Sequence, residues 1–125
     1  MVRRFLYFPL TFILFFGACL FAAEPLTIVT FGDSVTATRG RTEIYSNLLA
    51  RELSYETQDV KVINAGVGGH HTKMAKARFG KDVLENNPDV VVIMFGINDA
   101  AVDVWKNPPA DQSRISLTEY KKNLT

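Results

Sequence analysis

Three short apolar runs alternate with segments of helical periodicity along the chain. The runs have the length and the composition of β-strands, and glycine follows each of them within a few residues: Leu26–Phe31, Val60–Ile63 and Val90–Phe95. The third run is continuously apolar, which is typical of a central parallel strand buried on both faces. The pattern therefore predicts three strands, with the third in the middle of a sheet.

Apolar residues recur at helical spacing in the segments between these runs. One helix is predicted from Thr42 onward, with a polar connection from Tyr55, and a second over Thr72 to Leu84. The residues expected to face the sheet are Ile44, Leu48, Leu49 and Leu53 in the first helix and Met74, Ala77, Val83 and Leu84 in the second.

A third helix is predicted near the end of the sequence. Ser116-Leu117-Thr118-Glu119 has the spacing of a capping box, and Leu117, Tyr120 and Leu124 begin an apolar face after it. The segment Asp99–Arg114 before this helix contains Pro108-Pro109 and several polar residues, so a loop is expected there.

The β-α-β-α-β-α order of these elements predicts an α/β fold with a doubly wound parallel sheet. Three strands and a third helix that begins shortly before Thr125 are few for a complete sheet of this type. We therefore expect residues 24–125 to be the N-terminal part of a domain that continues further.

The N-terminus differs from the rest of the chain in composition. It holds six of the nine phenylalanines, whereas the chain beyond residue 23 carries 12 Lys and Arg against 13 Asp and Glu. That balance is typical of an ordinary protein surface. The net charge of +1 provides no basic field of the kind that attracts nucleic acid, so no nucleic-acid partner is expected.

Residues 1–23 have the features of an export signal in the usual order. Arg3 and Arg4 precede the apolar run Phe5–Phe21, and Ala22-Ala23 offers small residues for cleavage. We expect a cleaved signal peptide and a periplasmic or secreted product. An uncleaved anchor stays open as an alternative, because about 20 apolar residues span a bilayer.

A lipoprotein leader is a further alternative. Phe16-Gly17-Ala18-Cys19 resembles a bacterial lipoprotein cleavage box, with Phe where Leu is usual. Cys19 is the only cysteine of the chain, so the part beyond the leader contains no disulfide and no thiol chemistry. Contact with a membrane is expected only through the leader or through a lipid attached to Cys19.

Polar motifs follow all three predicted strands. They are Gly32-Asp33-Ser34, Asn64-Ala65-Gly66-Val67-Gly68-Gly69 and Gly96-Ile97-Asn98-Asp99. The carboxyl ends of parallel strands meet at one edge of a sheet, where open α/β sheets have their active sites. Ser34 can be a nucleophile there, and the Gly69 backbone N–H and the Asn98 amide can stabilise an oxyanion.

These three motifs, in this order, resemble the first three sequence blocks of the SGNH hydrolases, also called the GDSL-type esterase/lipase family. The resemblance covers essentially the whole chain beyond the leader. It implies a flavodoxin-like three-layer α/β/α sandwich with Ser34 as the nucleophile. It also implies an oxyanion hole formed by the Ser34 N–H, the Gly69 N–H and Asn98, and it implies no metal and no organic cofactor.

The family's later block, Asp-x-x-His, supplies the histidine base and the aspartate that orients it. No such motif follows Asn98 in this sequence. We therefore expect the 125-residue chain alone to be inactive. The leading hypothesis is an exported serine esterase that acts on a small-molecule, lipid or carbohydrate ester. The alternatives are a non-catalytic fragment or binding module on the same scaffold and, with less support, a flavodoxin-like nucleotide binder.

Several of these residues have plainer interpretations. Ser34 can be an ordinary turn or cap residue, and Asn98 a loop-capping amide. Gly66 and Gly68 are expected to serve a tight turn, and Asp33 and Asp99 to brace turns. Trp105 is interpreted equally well as a cleft residue or as a partly buried loop anchor.

His70 and His71 are candidates for a substitute base or for metal ligands. Adjacent residues rarely point the same way and no third ligand spacing is evident, so packing roles in the loop are favoured. His71 also stands where the dinucleotide pattern G-x-G-x-x-G requires its last glycine.

Overall fold

The computed structural model describes residues 24–56 and 59–125, so the predicted leader in residues 1–23 lies outside the described part. The strands are β1 (Leu26–Gly32), β2 (Val60–Gly66) and β3 (Val90–Met94). The helices are α1 (Tyr45–Glu56), α2 (Thr72–Asp82), α3 (Ile97–Ala100) and α4 (Leu117–Leu124), and a 3-10 turn covers Leu84–Asn86.

The three strands form a parallel sheet in the order β2-β1-β3. Val29 in the middle of β1 is paired with Ile63 of β2 on one side and with Val91 of β3 on the other. This order matches the start of the flavodoxin-like strand order 2-1-3. In that order the chain adds β2 on one side of β1 and then β3 on the other side. The predicted α/β class with a parallel sheet is confirmed.

The predicted central position of the third strand is not tested by the described residues, because the domain is expected to continue beyond them. β1 has a strand on both sides and β3 pairs only with β1, so the most buried strand is the first one. Val29 is fully buried, whereas half of Ile93 is exposed. A continuous apolar run indicates a buried strand, but it does not determine the order of strands within the sheet.

One face of the sheet carries the main apolar core. Val29 and Phe31 of β1 pack with Ala75 of α2 and with Val83 just beyond it. The Phe31 ring meets the Phe79 and Phe95 rings edge-on, with centroids 5.7 and 5.2 Å apart. Full burial of one such side chain contributes about 1.5–3 kcal/mol to folding, so these contacts hold α2 on this face.

The opposite face contacts α1. Successive residues of a strand point to opposite faces, so Asn64 points away from Ile63 and Ala65, which pack on the α2 side. The Asn64 side chain donates to the Ser46 hydroxyl of α1 at 3.0 Å. The two helices therefore cover opposite faces, and the three layers are helix, sheet and helix.

The helix boundaries and faces differ in part from their predictions. α1 begins at Tyr45 and not at Thr42, whose N–H closes a turn on the Arg39 carbonyl, and it extends to Glu56. In α2 the buried residues are Thr72 and Ala75, whereas Met74 is exposed. Ala77 and Leu84 are exposed as well, and Val83 is buried as predicted.

The predicted cap of the last helix is confirmed. The Ser116 hydroxyl accepts a hydrogen bond from the Glu119 backbone N–H at 3.2 Å, and α4 begins at Leu117. A cap of this type contributes about 1 kcal/mol to helix stability.

Candidate active site

Ser34 lies in a tight turn directly after β1. Asp33 is buried and its carboxylate accepts the Val35 N–H at 2.9 Å, while its carbonyl accepts the N–H groups of Thr36 and Ala37. These bonds confirm that Asp33 braces the turn. Ser34 itself is half-buried, and its hydroxyl has no hydrogen-bond partner within residues 24–56 and 59–125.

The loop after β2 passes beside Ser34. The Val67 N–H donates to the Gly32 carbonyl at 3.0 Å, and a Cβ placed on Gly68 would lie 3.9 Å from the Ser34 Cβ. Gly69 follows with a φ of +77°, a conformation that strains any residue with a side chain. Its backbone N–H has no partner in the described part of the chain, so it is available as a donor.

Gly66 has a different role from the predicted tight turn. It is the last residue of β2, and a Cβ there would lie 2.3 Å from the Ala37 backbone nitrogen in the Ser34 turn. The Asn64 amide also donates to the Thr36 carbonyl at 2.8 Å. Both features keep the end of β2 in close contact with the turn that carries Ser34.

Asn98 joins the same edge from the third loop. It lies in α3, just after β3, and its Nδ2 atom donates to the His70 carbonyl at 3.0 Å. A carboxamide nitrogen has two N–H donors, so one remains for a ligand. The structure thus brings Ser34, Gly69 and Asn98 together at the carboxyl edge of the sheet.

Within the described residues neither His70 nor His71 forms a hydrogen bond with Ser34, and both side chains are partly buried. The His70 Nδ1 atom accepts a bond from Arg78 Nε at 3.1 Å. Burial of the ring lowers the pKa of His70 below its ordinary value of 6.5, and the neighbouring Arg78 guanidinium adds to this effect against the opposing charge of Asp82. The bond from Arg78 Nε makes the His70 Nδ1 atom an acceptor, so this nitrogen is not available to act on Ser34.

Asp99 braces more than its own turn. It is buried, and its Oδ1 atom accepts both the backbone N–H and the hydroxyl of Thr72, the first residue of α2. A carboxylate at this position satisfies N–H groups that the helix leaves unpaired and complements its dipole. Asp99 therefore fixes the start of α2 against the loop that carries Asn98.

Trp105 is not a buried anchor. About two thirds of it is exposed (69%), and the Arg114 guanidinium lies 5.6 Å from its ring centroid. Asp103 at the base of this loop accepts Arg114 at 2.6 Å and Lys106 at 2.7 Å. The hydrogen bond from Arg114, then that from Lys106, lowers the pKa of Asp103 to about 2.

Arg78 was not singled out from the sequence. The only local signal is Asp82 at the i+4 position, a common helix-surface pair. Its other acceptors are the His70 ring and the carbonyls of Gly32 and Ala65 at the strand ends, and the two carbonyls are distant in sequence. No pattern along the chain could have identified them.

A well-formed groove in the described region lies elsewhere. It has a volume of about 400 Å³ between α2, α4 and β3, and its lining includes Phe79, Ile93 and Leu124. It contains none of Ser34, Gly69 and Asn98. The candidate site is therefore the open edge of the sheet and not this groove.

Two other features are absent from the described residues. Residues 24–56 and 59–125 contain no cluster of three or more His, Cys, Asp or Glu side chains suited to a metal ion. Within the same ranges, no helix has the length and apolar character to cross a membrane.

The described residues thus form a parallel sheet in the order β2-β1-β3, and polar groups from three strand-end loops lie at its carboxyl edge. Open α/β sheets bind their ligands at this edge. The sequence pattern of the GDSL-like lipase/acylhydrolase family matches residues 30–124. The chain belongs to this family.

Individual relatives agree with this assignment. The uncharacterized lipoprotein YqeF of Bacillus subtilis is 35% identical over 106 residues, which cover 78% of this chain and 40% of that protein. An acetylxylan esterase of Geobacillus stearothermophilus is 36% identical over 73 residues, covering 56% of this chain and 32% of the relative. Both matches involve only part of the relative's length.

Solved structures give the same result. A lipase/acylhydrolase from Enterococcus faecalis superposes with a TM-score of 0.64 at 35% identity, over 78% of this chain and 48% of that one. An acetyl-xylooligosaccharide esterase from Geobacillus superposes with a TM-score of 0.65 at 29% identity, over 81% and 52%. The chain thus spans about half the length of these structures.

Proposed function

We propose that this chain is the N-terminal part of an exported serine esterase that hydrolyses carboxylic esters through an acyl-enzyme on Ser34. The observation that supports this most directly is the meeting of the Ser34 turn, the Gly69 loop and Asn98 at one edge of the sheet. Family membership adds independent support, since the named relatives include esterases.

In the proposed reaction the Ser34 Oγ atom attacks the ester carbonyl carbon and gives its proton to a base. The carbonyl oxygen becomes an oxyanion, which accepts hydrogen bonds from the Gly69 N–H and from the second N–H of Asn98 Nδ2. Each such donor contributes on the order of 100–1000-fold to the rate. The C–O bond to the alcohol then breaks, the alcohol leaves with the proton, and water hydrolyses the acyl-enzyme by the same steps.

The base and its orienting carboxylate are proposed to come from residues outside this sequence, in a longer protein. Within the described residues, the His70 Nδ1 atom is bonded to Arg78 and the Ser34 hydroxyl has no partner. Structures of catalytic mutants of the Geobacillus acetylxylan esterase replace one serine, one histidine and one aspartate by alanine. An equivalent triad would supply both missing groups.

The chemical class of the ester substrate is proposed from the relatives. The relatives named as acetylxylan esterases support acetyl groups on carbohydrates as the first substrates to test. Esterase TesA of Pseudomonas aeruginosa, 33% identical over 79 residues, keeps other esters under consideration.

The proposed chemistry is tested by labelling. The full-length gene product is incubated with p-nitrophenyl acetate and, separately, with a serine-directed fluorophosphonate, and the labelled peptide is identified by mass spectrometry. Hydrolysis with an adduct on Ser34 is expected. An adduct on Ser46, Ser113 or any other serine, or an active protein that the probe does not label, contradicts the proposal.

Export is tested separately. The relation to a lipoprotein and the features of residues 1–23 support a secreted or periplasmic location. Sequencing of the mature N-terminus is expected to give a chain that starts near Ala23 or Glu24. A lipidated N-terminal Cys19 would identify a lipoprotein instead, and a chain that retains Met1 would contradict cleavage.

A further inference from the structure

Arg78 occupies an unusual position under the carboxyl edge of the sheet. Only 13% of its side chain is exposed, and its guanidinium carbon lies 4.4 Å from the centroid of the Phe31 ring. NH2 donates to the Gly32 carbonyl at 2.9 Å, and NH1 donates to the Ala65 carbonyl at 2.8 Å. One side chain thus joins the ends of β1 and β2.

Two more bonds complete the set. Arg78 Nε donates to His70 Nδ1 at 3.1 Å, and NH1 also pairs with the Asp82 carboxylate at 2.7 Å. A cation removed from water is costly unless it is paired and hydrogen-bonded. Asp82 alone provides the opposite charge. Charge pairing therefore does not explain why Arg78 also bonds the Gly32 carbonyl, the Ala65 carbonyl and His70 Nδ1.

The three remaining acceptors all belong to segments that carry the candidate site. Gly32 lies two residues before Ser34 on the same strand end. His70 directly follows Gly69, and its carbonyl accepts the Asn98 Nδ2 atom at 3.0 Å. The planar fork of arginine can bond several acceptors in fixed directions, whereas the single ammonium of lysine cannot.

We propose that Arg78 is a positioning residue for the esterase reaction, holding the Ser34 turn and the Gly69–His70 loop in the relative positions that transition-state binding requires. This inference rests on the proposed function of the site. Arg78 does not touch the reacting atoms. It acts through the strand-end carbonyls and through the His70 ring, and displacements of about 1 Å in such supports lower rates substantially.

The test compares Arg78→Lys with Asp82→Asn in the full-length gene product. Both variants disturb the same ion pair, but only the first removes the bonds to Gly32, Ala65 and His70. Arg78→Lys is expected to lower kcat for p-nitrophenyl acetate by about tenfold, with KM within about twofold, because a misplaced oxyanion hole affects the transition state more than the bound ester. Asp82→Asn is expected to retain kcat within about twofold.

Thermal unfolding of both variants and assays well below both transitions separate positioning from stability. A folded Arg78→Lys variant with wild-type kcat, or an equal loss of kcat in Asp82→Asn, would overturn the inference. If Arg78→Lys does not fold, His70→Phe removes the Nδ1 acceptor and leaves α2 intact. We then expect kcat to fall about twofold to fivefold at unchanged KM, and an unchanged kcat would overturn the inference.

The fluorophosphonate adduct distinguishes a failure of the proposed Arg78 role from a failure of the proposed esterase function. Labelling of Ser34 in the wild-type protein, combined with an unaffected Arg78→Lys variant, contradicts the positioning role alone. Absence of any Ser34 adduct in wild-type protein that is active contradicts the proposed function, and the role of Arg78 is then rejected with it.

Discussion

The loop after β2 and the loop after α3 flank the same edge of the sheet and are held in opposite ways. The first, Val67–His71, is bonded to other elements through the Gly32 carbonyl, Arg78 and Asn98. The second, residues 101–115, is closed mainly by its own charges, with Asp103 paired to Arg114 and Lys106.

This difference indicates where geometry is fixed by the fold and where it is free to vary. The hydrogen bonds of the first loop lead into the sheet, so its donor positions depend on the core. The two ends of the second loop are bonded to each other. Arg114 N–H donates to the Ala101 carbonyl, and Ile115 N–H donates to the Asp99 carbonyl. Its exposed tip, which includes Trp105, can change without moving the sheet edge.

The largest effect is expected from replacing Ser34, in the turn that follows β1. Ser34→Ala in the full-length gene product is expected to lower ester hydrolysis by at least about a thousandfold, because it removes the proposed nucleophile. The free energy of unfolding should change by no more than about 0.5 kcal/mol, since the hydroxyl has no bond within the described residues. Hydrolysis of p-nitrophenyl acetate and thermal unfolding measure the two. Full activity of the variant would end the proposed mechanism.

The next effect tests the donor from the third strand end. Asn98→Ala is expected to lower kcat by about a hundredfold with little change in KM, because the amide would bind the oxyanion and not the ground state. Steady-state kinetics on p-nitrophenyl acetate measure this. Asn123→Ala on α4, whose amide donates to the Thr72 hydroxyl, is a matched amide deletion away from the edge. Equal losses of kcat in both would argue for a general structural effect.

Smaller effects are expected from the two histidines. His70→Ala and His71→Ala should each keep activity within about fivefold of wild type, since removal of a general base costs about 100–10,000-fold. For His70 the two strand-end bonds of Arg78 remain in place. A hundredfold loss in a folded His71→Ala variant would mean that the base belongs to this loop and not to residues outside this sequence.

The smallest effect on activity is expected in the second loop, residues 101–115. There the informative measurement is the melting temperature as a function of pH. The pKa of Asp103 is about 2 in the folded protein against an ordinary 3.8, so folding favours its ionised form. Its contribution to stability is full above pH 3.8 and is lost as the pH falls toward 2. Asp103→Asn should flatten the melting temperature over this range and leave kcat at neutral pH within about twofold.

Asp111→Asn, an exposed substitution in the same loop, is the control for Asp103→Asn and should retain the wild-type pH profile. If Asp103→Asn strongly lowered kcat at neutral pH, the two loops would be coupled. The contrast between a fixed edge and an independent loop would then be incorrect.

Much of the fold follows from local sequence patterns. The three strands, the N-cap at Ser116 and the glycine motifs after the strands all depend on residues close together in the chain, and the structure contains them. The family resemblance rests on the same motifs, and the match over residues 30–124 confirms it. The errors concern what each element packs against, as for the exposed Met74 of α2.

The sequence by itself determined the three strands, the three longer helices, the α/β class and the three candidate residues Ser34, Gly69 and Asn98. It did not indicate the short helix α3, Ile97–Ala100, where the pattern predicts a loop from Asp99 onward. Tertiary structure alone decided that β1 lies between the other strands and that Arg78 reaches the Gly32 carbonyl, 46 positions away. The physical reason is that backbone carbonyls are the same in every residue. The side chains of a strand indicate whether it is buried. The acceptors of a buried guanidinium depend instead on which backbone carbonyls lie within hydrogen-bond distance in the folded sheet.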